Sequence, residues 1–284
     1  MRKLLRAICI ITLATVTSAA AVDPAPQELF EINTQLMEST FRITGPSSKQ
    51  AGAISGGTVF LLAKPIGNGR GSYVMVTAAH VFDEIAGENA TIAFHYKDSD
   101  GKFHESDYSF KIRDGDKALY TKNPAVDVAV IYVRMPIQFQ NVKLLDTEIL
   151  LKDEWMTKFE IHPGDELLCL GYPLFASGEH GYAILRSGKI ASYPLVPQKE
   201  YKTWLFDFRV FPGNSGGPVY FVDRNRTYGN IMHIGEAVQF VAGLVTQQVF
   251  AALVDNRDLQ LGVVIPATFI RETLDMLPAS SPYE

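Results

Sequence analysis

Pro212-Gly213-Asn214-Ser215-Gly216-Gly217-Pro218 sets a single serine among glycines, with a proline at either end. Such a segment can turn sharply, bring backbone N–H groups toward one point and leave the serine hydroxyl beside them. A serine hydroxyl is a weak nucleophile at neutral pH, so its use requires an imidazole to take its proton and a third group to hold that imidazole. Both lie upstream. Thr77-Ala78-Ala79-His80 closes an apolar run, and Val126-Asp127-Val128-Ala129-Val130 sets one acid among apolar neighbours. Gly213 to Gly217 also matches the Gly-x-Ser-x-Gly elbow of esterases. That elbow belongs to chains with the order Ser, acid, His and with alternating strands and helices, and the order His80, Asp127, Ser215 in a β-rich chain decides against it.

Away from the serine, β signals dominate from Gly56 onward. Thr58–Leu62, Tyr73–Thr77, Thr91–Tyr96 and Val128–Val133 are short, rich in β-branched and aromatic residues, and bounded by Gly, Asn, Asp and Lys. Asn68-Gly69 and Asp98-Ser99-Asp100-Gly101 read as hairpin turns. A polar stretch from Asp146 to Phe159 reads as a connection. A second set of strands then follows: Glu166–Gly171, Gly181–Ser187, Trp204–Arg209, Pro218–Val222, Val238–Val245 and Gly262–Ile265. Apolar spacing predicts a short helix through Leu29, Phe30, Ile32, Leu36 and Met37, and a closing helix over Thr268–Leu277.

With those flanks, the ordered His80, Asp127 and Ser215 resemble the trypsin-like (chymotrypsin-fold) serine peptidases, from about Gly56 to about Leu277. Pro163-Gly164-Asp165 leading to Leu170-Gly171-Tyr172-Pro173, then Ser187-Gly188-Lys189-Ile190, then Leu261-Gly262-Val263-Val264-Ile265-Pro266 resemble the protease domain of the HtrA/Deg branch. The PDZ domain that follows the protease in that branch has no room here. The resemblance implies an all-β fold of two six-stranded antiparallel barrels. His80 and Asp127 would stand on the first and Ser215 on the second, with a peptide substrate between them.

It also implies roles. Ser215 is the expected nucleophile, His80 the general base and acid, and Asp127 the group that orients His80. The N–H groups of Gly213 and Ser215 would form the oxyanion hole. Asn214 replaces an aspartate that trypsin-like zymogens use to bind a freshly cut N-terminus, and its lack of charge points away from that route of activation. The expected substrate pocket has Arg209 at its floor and Val245, Thr246 and Gln247 on one wall. Arg209 either invites an acidic side chain or points outward and leaves a small apolar pocket; strand alternation alone leaves both open.

Composition narrows the rest. In 284 residues, 47% hydrophobic, there is enough apolar material for one large core or two smaller ones. The net charge of −5 and the lack of a Lys/Arg cluster exclude a nucleic-acid footprint. Arg2, Lys3 and Arg6, the apolar stretch Ala7 to Val16 and the small residues Thr17 to Ala21 read as an export signal, too short to span a bilayer. Its removal implies a periplasmic or secreted protein with no membrane anchor. Cys169 is then the only cysteine, so packing without a disulfide must hold the fold; it reads as a buried small hydrophobe. His95, His104, His162, His180 and His233 read as structural or solvated, and no spacing suggests a metal site or a cofactor. The expected organisation is residues 1–21 signal, 22–50 linker and short helix, 51–150 first barrel, and 151–284 second barrel with the C-terminal helix. The alternative function is a catalytically silent binding or scaffold protein on the same fold.

Overall fold

Ile32 and Leu36, four positions apart, are both fully buried on α1 (Ile32–Ser39), the spacing that turns one helix face inward. The computed structural model describes residues 31–67, 70–251 and 257–283. The segment 1–21 read as an export signal, the following residues to 30 with Leu29 and Phe30, and Asn68-Gly69, read as a turn, lie outside the described residues. Ile32–Glu284 is one compact unit.

Helix α1 runs directly into β1 (Thr40–Pro46), followed by β2 (Ile54–Gly67), β3 (Arg70–Thr77), β4 (Asn89–Lys97) and β5 (Phe103–Lys111). Three two-residue strands come next, β6 (Arg113–Asp114), β7 (Lys117–Ala118) and β8 (Thr121–Lys122), and then β9 (Ala129–Tyr132). These build a seven-stranded antiparallel sheet in the order β5-β4-β1-β2-β3-β9-β8, with β6 and β7 paired separately. The first sheet therefore holds seven strands where six were expected, and its end strands β5 and β8 do not pair with each other. It also begins at Thr40, inside the stretch read as linker and helix. There β1 lies between β2 and β4, pairing Phe41 with Val59 and Ile43 with Ile92. The expected turn after β4 is present: Gly101, at φ +80°, donates its N–H to Asp98 O, while Asp98 Oδ1 accepts from Asp100 and Lys102.

The polar connection contains a 3₁₀ turn, Thr147–Ile149, and α3 (Asp153–Lys158). The second sheet comprises β10 (Glu166–Gly171), β11 (Ile184–Ile190), β12 (Trp204–Asp207), β13 (Pro218–Tyr228), β14 (Ile231–Ala251) and β15 (Arg257–Pro266). As expected it closes with six strands, in the order β10-β11-β12-β15-β14-β13, the seam being Leu168 opposite Tyr220 and Cys169 opposite Val219. Cys169 is buried, and burial pushes its thiol up to about 12, so it behaves as an apolar filler. The closing helix is α4 (Ala267–Asp275), which buries Phe269, Ile270 and Leu274. It reaches back to the first sheet: Lys64 Nζ donates to Leu274 O at 3.0 Å and Asn123 Nδ2 to Thr273 Oγ1 at 3.1 Å. One apolar core, including Phe41, Phe60, Trp204 and Tyr220, runs through both sheets.

One charge is buried to lock the connection onto the second sheet. The Arg226 side chain, 7% exposed, meets Asp165 through two bonds of 2.8 and 3.1 Å and also donates to the Phe159 and Glu160 carbonyls. Replacing only one partner of such a pair strands the other. Arg226→Ala is expected to lower the unfolding free energy by roughly 3–5 kcal/mol, read from the midpoint and slope of urea unfolding. A loss under about 1 kcal/mol, the range of an exposed pair, would show that Asp165 finds water instead.

Candidate active site

His80 stands at the exit of β3, on the five-residue helix α2 (Ala79–Asp83), behind buried Ala78 and Ala79. Asp127 precedes β9, beside fully buried Val128. Strands β3 and β9 pair, with Thr77 opposite Ala129, and this brings the two residues together across neighbouring strand ends. The contact is double. The His80 backbone N–H donates to Asp127 Oδ1 at 3.0 Å, and the ring Nδ1 lies 2.6 Å from Oδ2. With an ionised carboxylate as acceptor, Nδ1 carries the proton and Nε2 is left as the base. Burial pulls the His80 pKa down, but the hydrogen bond and charge of Asp127, helped by the charge of Glu84, outweigh it and raise the pKa above 6.5. For Asp127 burial acts upward, and the bonds from His80 overcome it and hold the carboxyl low.

The serine loop is built carbonyl by carbonyl. Pro212 O accepts from the Leu174 N–H at 2.6 Å, Gly213 O from Thr58 Oγ1 at 2.7 Å, Asn214 O from the Gly217 N–H at 3.0 Å, and Ser215 O from the Thr58 N–H at 2.8 Å. In a trans peptide C=O and the following N–H point in opposite directions, so holding Pro212 O and Asn214 O aims the N–H groups of Gly213 and Ser215. Neither of those N–H groups has an acceptor among the described residues, whereas Asn214 N–H reaches Phe211 O and Gly216 N–H reaches Val245 O. Gly213 adopts φ +95°, and a Cβ there would lie 2.2 Å from Tyr172 O. Only glycine fits. Asn214 is 1% exposed, and its Nδ2 has no hydrogen-bond partner among the described residues.

His80, Asp127 and Ser215 line one open cleft of about 480 Å³, walled by Val210, Phe211, Pro212, Thr246 and Gln247, with Glu84 beside His80. The Ser215 hydroxyl donates to Thr246 O at 2.8 Å and makes no hydrogen bond to the His80 ring. A larger cavity of about 610 Å³ lies elsewhere, between β7–β9 and the C-terminal tail, and is lined by none of these residues. Among the described residues no cluster of His, Cys, Asp and Glu is placed to hold a metal ion.

The trypsin-like peptidase domain model matches residues 51–229, more than half of the chain, and the match includes the cleft's histidine, acid and serine. The chain belongs to the trypsin-like peptidase family. Solved structures similar to this peptidase include the HtrA-type protease AlgW with a tripeptide, at 16% identity and TM-score 0.48, matched over 85% of this chain and 60% of that one. The present chain thus spans only three-fifths of AlgW's length. Others are the protease Anisep from Arthrobacter nicotinovorans, at 15% identity and TM-score 0.49 over 87% of this chain and 98% of that one, and the thermostable serine protease AL20 from an extremophilic microorganism, at 10% identity and TM-score 0.48 over 84% and 96%. No curated protein matches the chain.

The residues expected to form the pocket separate. Thr246 and Gln247 line the cleft. Val245 is buried behind it, its N–H bonded to Gly217 O. Arg209 is exposed outside it, its guanidinium 4.9 Å from the Phe211 ring centre, and the side chain turned to the cleft is that of the next residue, Val210. The residues that sequence reading passed over are Thr58, Glu84, Leu174, Val210 and Phe211, whose roles come from what they touch; only Pro212 was signalled, by adjoining Gly213.

The raised His80 pKa sets a pH dependence. A general base must be neutral, so with His80 in that role kcat/KM for peptide cleavage is expected to rise with pH through a midpoint above 6.5 and to vanish on the acid side. A pH–rate profile that falls through that window, or whose midpoint lies below 6.5, would contradict the Asp127–His80 coupling.

Proposed function

We propose that the chain is an exported endopeptidase that cleaves peptide bonds through an acyl-enzyme, with His80, Asp127 and Ser215 acting as one unit. The observation that carries this reading is the opening of the Asp127-bound His80 ring and the Ser215 hydroxyl onto one cleft, beside two backbone N–H groups without acceptors. Ser215 Oγ bonds to the substrate carbonyl carbon while its proton passes to His80 Nε2, and the carbonyl electron pair moves to oxygen. That oxyanion accepts from the Gly213 and Ser215 N–H groups. As the C=O reforms, the C–N bond breaks, His80 gives its proton to the departing nitrogen, and Ser215 is left acylated. Water then repeats the sequence: one of its protons passes to His80, its oxygen bonds to the acyl carbon, and Ser215 Oγ departs with the returned proton.

A turn about Ser215 χ1 precedes the first step, exchanging the bond to Thr246 O for one to His80. Each of these is a neutral hydrogen bond of net worth about 1 kcal/mol, so the exchange is nearly balanced. The same bond is the one observation favouring the alternative, a silent binding protein on this fold. Export is supported by the charged, apolar and small-residue succession of residues 1–21.

A fluorophosphonate probe separates the two readings. The folded wild type is expected to take one label, mapped by mass spectrometry to Ser215, with intact mass placing the export cut after Ala21. Ser215→Ala should take none, and Asp127→Asn should label about 10³- to 10⁴-fold more slowly, because an amide facing Nδ1 favours the wrong ring tautomer. A folded wild type that stays unlabelled would establish the silent reading.

A further inference from the structure

Thr58 lies on β2 of the first sheet, fully buried, and two of its hydrogen bonds reach the serine loop of the second. Its N–H donates to Ser215 O at 2.8 Å. Its Oγ1 donates to Gly213 O at 2.7 Å and accepts from the Tyr172 N–H at 3.3 Å. Its carbonyl accepts from Thr77 Oγ1 at 2.7 Å, and Thr77 is three residues before His80 on the same run of chain. One residue thus touches the loop on both sides of Asn214 and is tied to the strand that delivers the histidine.

The loop needs such a hold. Gly213 at φ +95° and Gly216 at φ +87° border it, and glycine backbone passes readily between conformations. The Gly213–Asn214 and Ser215–Gly216 peptide planes flank the plane that carries the Ser215 N–H, and Thr58 grips the carbonyl of each. Gly216 presses against the same assembly: a Cβ there would lie 2.1 Å from Thr77 Oγ1 and 2.2 Å from Thr58 O.

Resting on the acyl-enzyme reading above, we infer that Thr58 is a positioning residue for acylation. Its hydroxyl carries no proton in the reaction. It fixes the peptide planes so that the Gly213 and Ser215 N–H groups converge where the oxyanion forms. Removing the hydroxyl frees Gly213 O and lets those donors swing, and misplacement on the scale of 1 Å costs about 100-fold in rate.

The test compares Thr58→Val, which keeps the shape and removes the hydroxyl, with Thr58→Ser, which keeps the hydroxyl. The readouts are the fluorophosphonate labelling rate constant and the kcat and KM for a peptide substrate, with circular dichroism confirming the fold. Thr58→Val is expected to lose about 10- to 100-fold in labelling rate and kcat, with KM changed by less than about 3-fold. Thr58→Ser should stay within about 3-fold of wild type in all of them. The labelling rate constant is read from folded molecules, so a lower yield does not imitate the effect. Should Thr58→Val not fold, Thr58→Cys, with a weaker donor of similar shape, takes its place. A purely packing role gives the opposite order, with Thr58→Ser slow and the hydroxyl-free variant normal, and either that order or three equal rates would overturn the inference. Wild-type labelling and its loss in Ser215→Ala test the triad separately, so a normal Thr58→Val rate beside a labelled wild type removes only the role of Thr58.

Discussion

The site depends on the capture of four successive carbonyls, Pro212 to Ser215, by donors from outside the serine or from the far side of its own turn. Each captured carbonyl fixes a peptide plane, and two of the N–H groups on those planes, those of Gly213 and Ser215, are left without acceptors among the described residues. Unpaired backbone donors are unfavourable where water is excluded, by about 1–3 kcal/mol each, and they persist only where the surroundings over-determine the backbone. That over-determination is distributed. Leu174 follows β10 in the second barrel, while Thr58 belongs to the first sheet. The geometry around Ser215 is therefore a property of how the sheets are joined, which gives the fastening of α4 onto the first sheet a bearing on chemistry as well as stability.

The paired carboxyl and imidazole face the opposite problem, since burial disfavours the charged form of each. Asp127 and His80 answer it for each other: each is pulled by burial in the unfavourable direction, and their mutual bonds reverse the outcome. The carboxylate is further held by the His80 backbone N–H, so its orientation does not rest on the ring alone. Against this stiff pair, Ser215 is the adjustable member. Its hydroxyl bonds to Thr246 O at 2.8 Å, a contact that a turn about the Ser215 side chain releases.

Much of this was legible in the sequence because the informative residues are short-range signals. Gly213 is recognisable because only glycine tolerates its conformation, His80 because small residues precede it, and Asp127 because an acid among valines stands out at the entry to an apolar strand. The strands with strong apolar content, such as Val128–Val133 and Glu166–Gly171, are found as Ala129–Tyr132 and Glu166–Gly171. Strand β1 did not, since Thr40-Phe41-Arg42-Ile43-Thr44 follows an amphipathic helix without a break and lacks the turn residues that announce a strand. β5 was missed for another reason: it is an edge strand, largely exposed, and its sequence Phe103-His104-Glu105-Ser106-Asp107 carries no buried face to betray it. The direction of Arg209 was a question of strand parity, settled only when Val210 took the inward place. Thr58 was invisible as a functional residue because a threonine in a β-strand is ordinary and its partners are remote in the chain.

The most direct measurement of the central claim, that the pinned loop presents two N–H groups to a reaction at Ser215, is a crystal structure of the protein inhibited by a peptidyl phosphonate. The expected result is a covalent bond from Ser215 Oγ to phosphorus, with a phosphonyl oxygen within hydrogen-bond distance of both the Gly213 and Ser215 N–H groups and the Asp127–His80 contact retained. An adduct on another residue, or one on Ser215 whose oxygen faces away from both N–H groups, would contradict it.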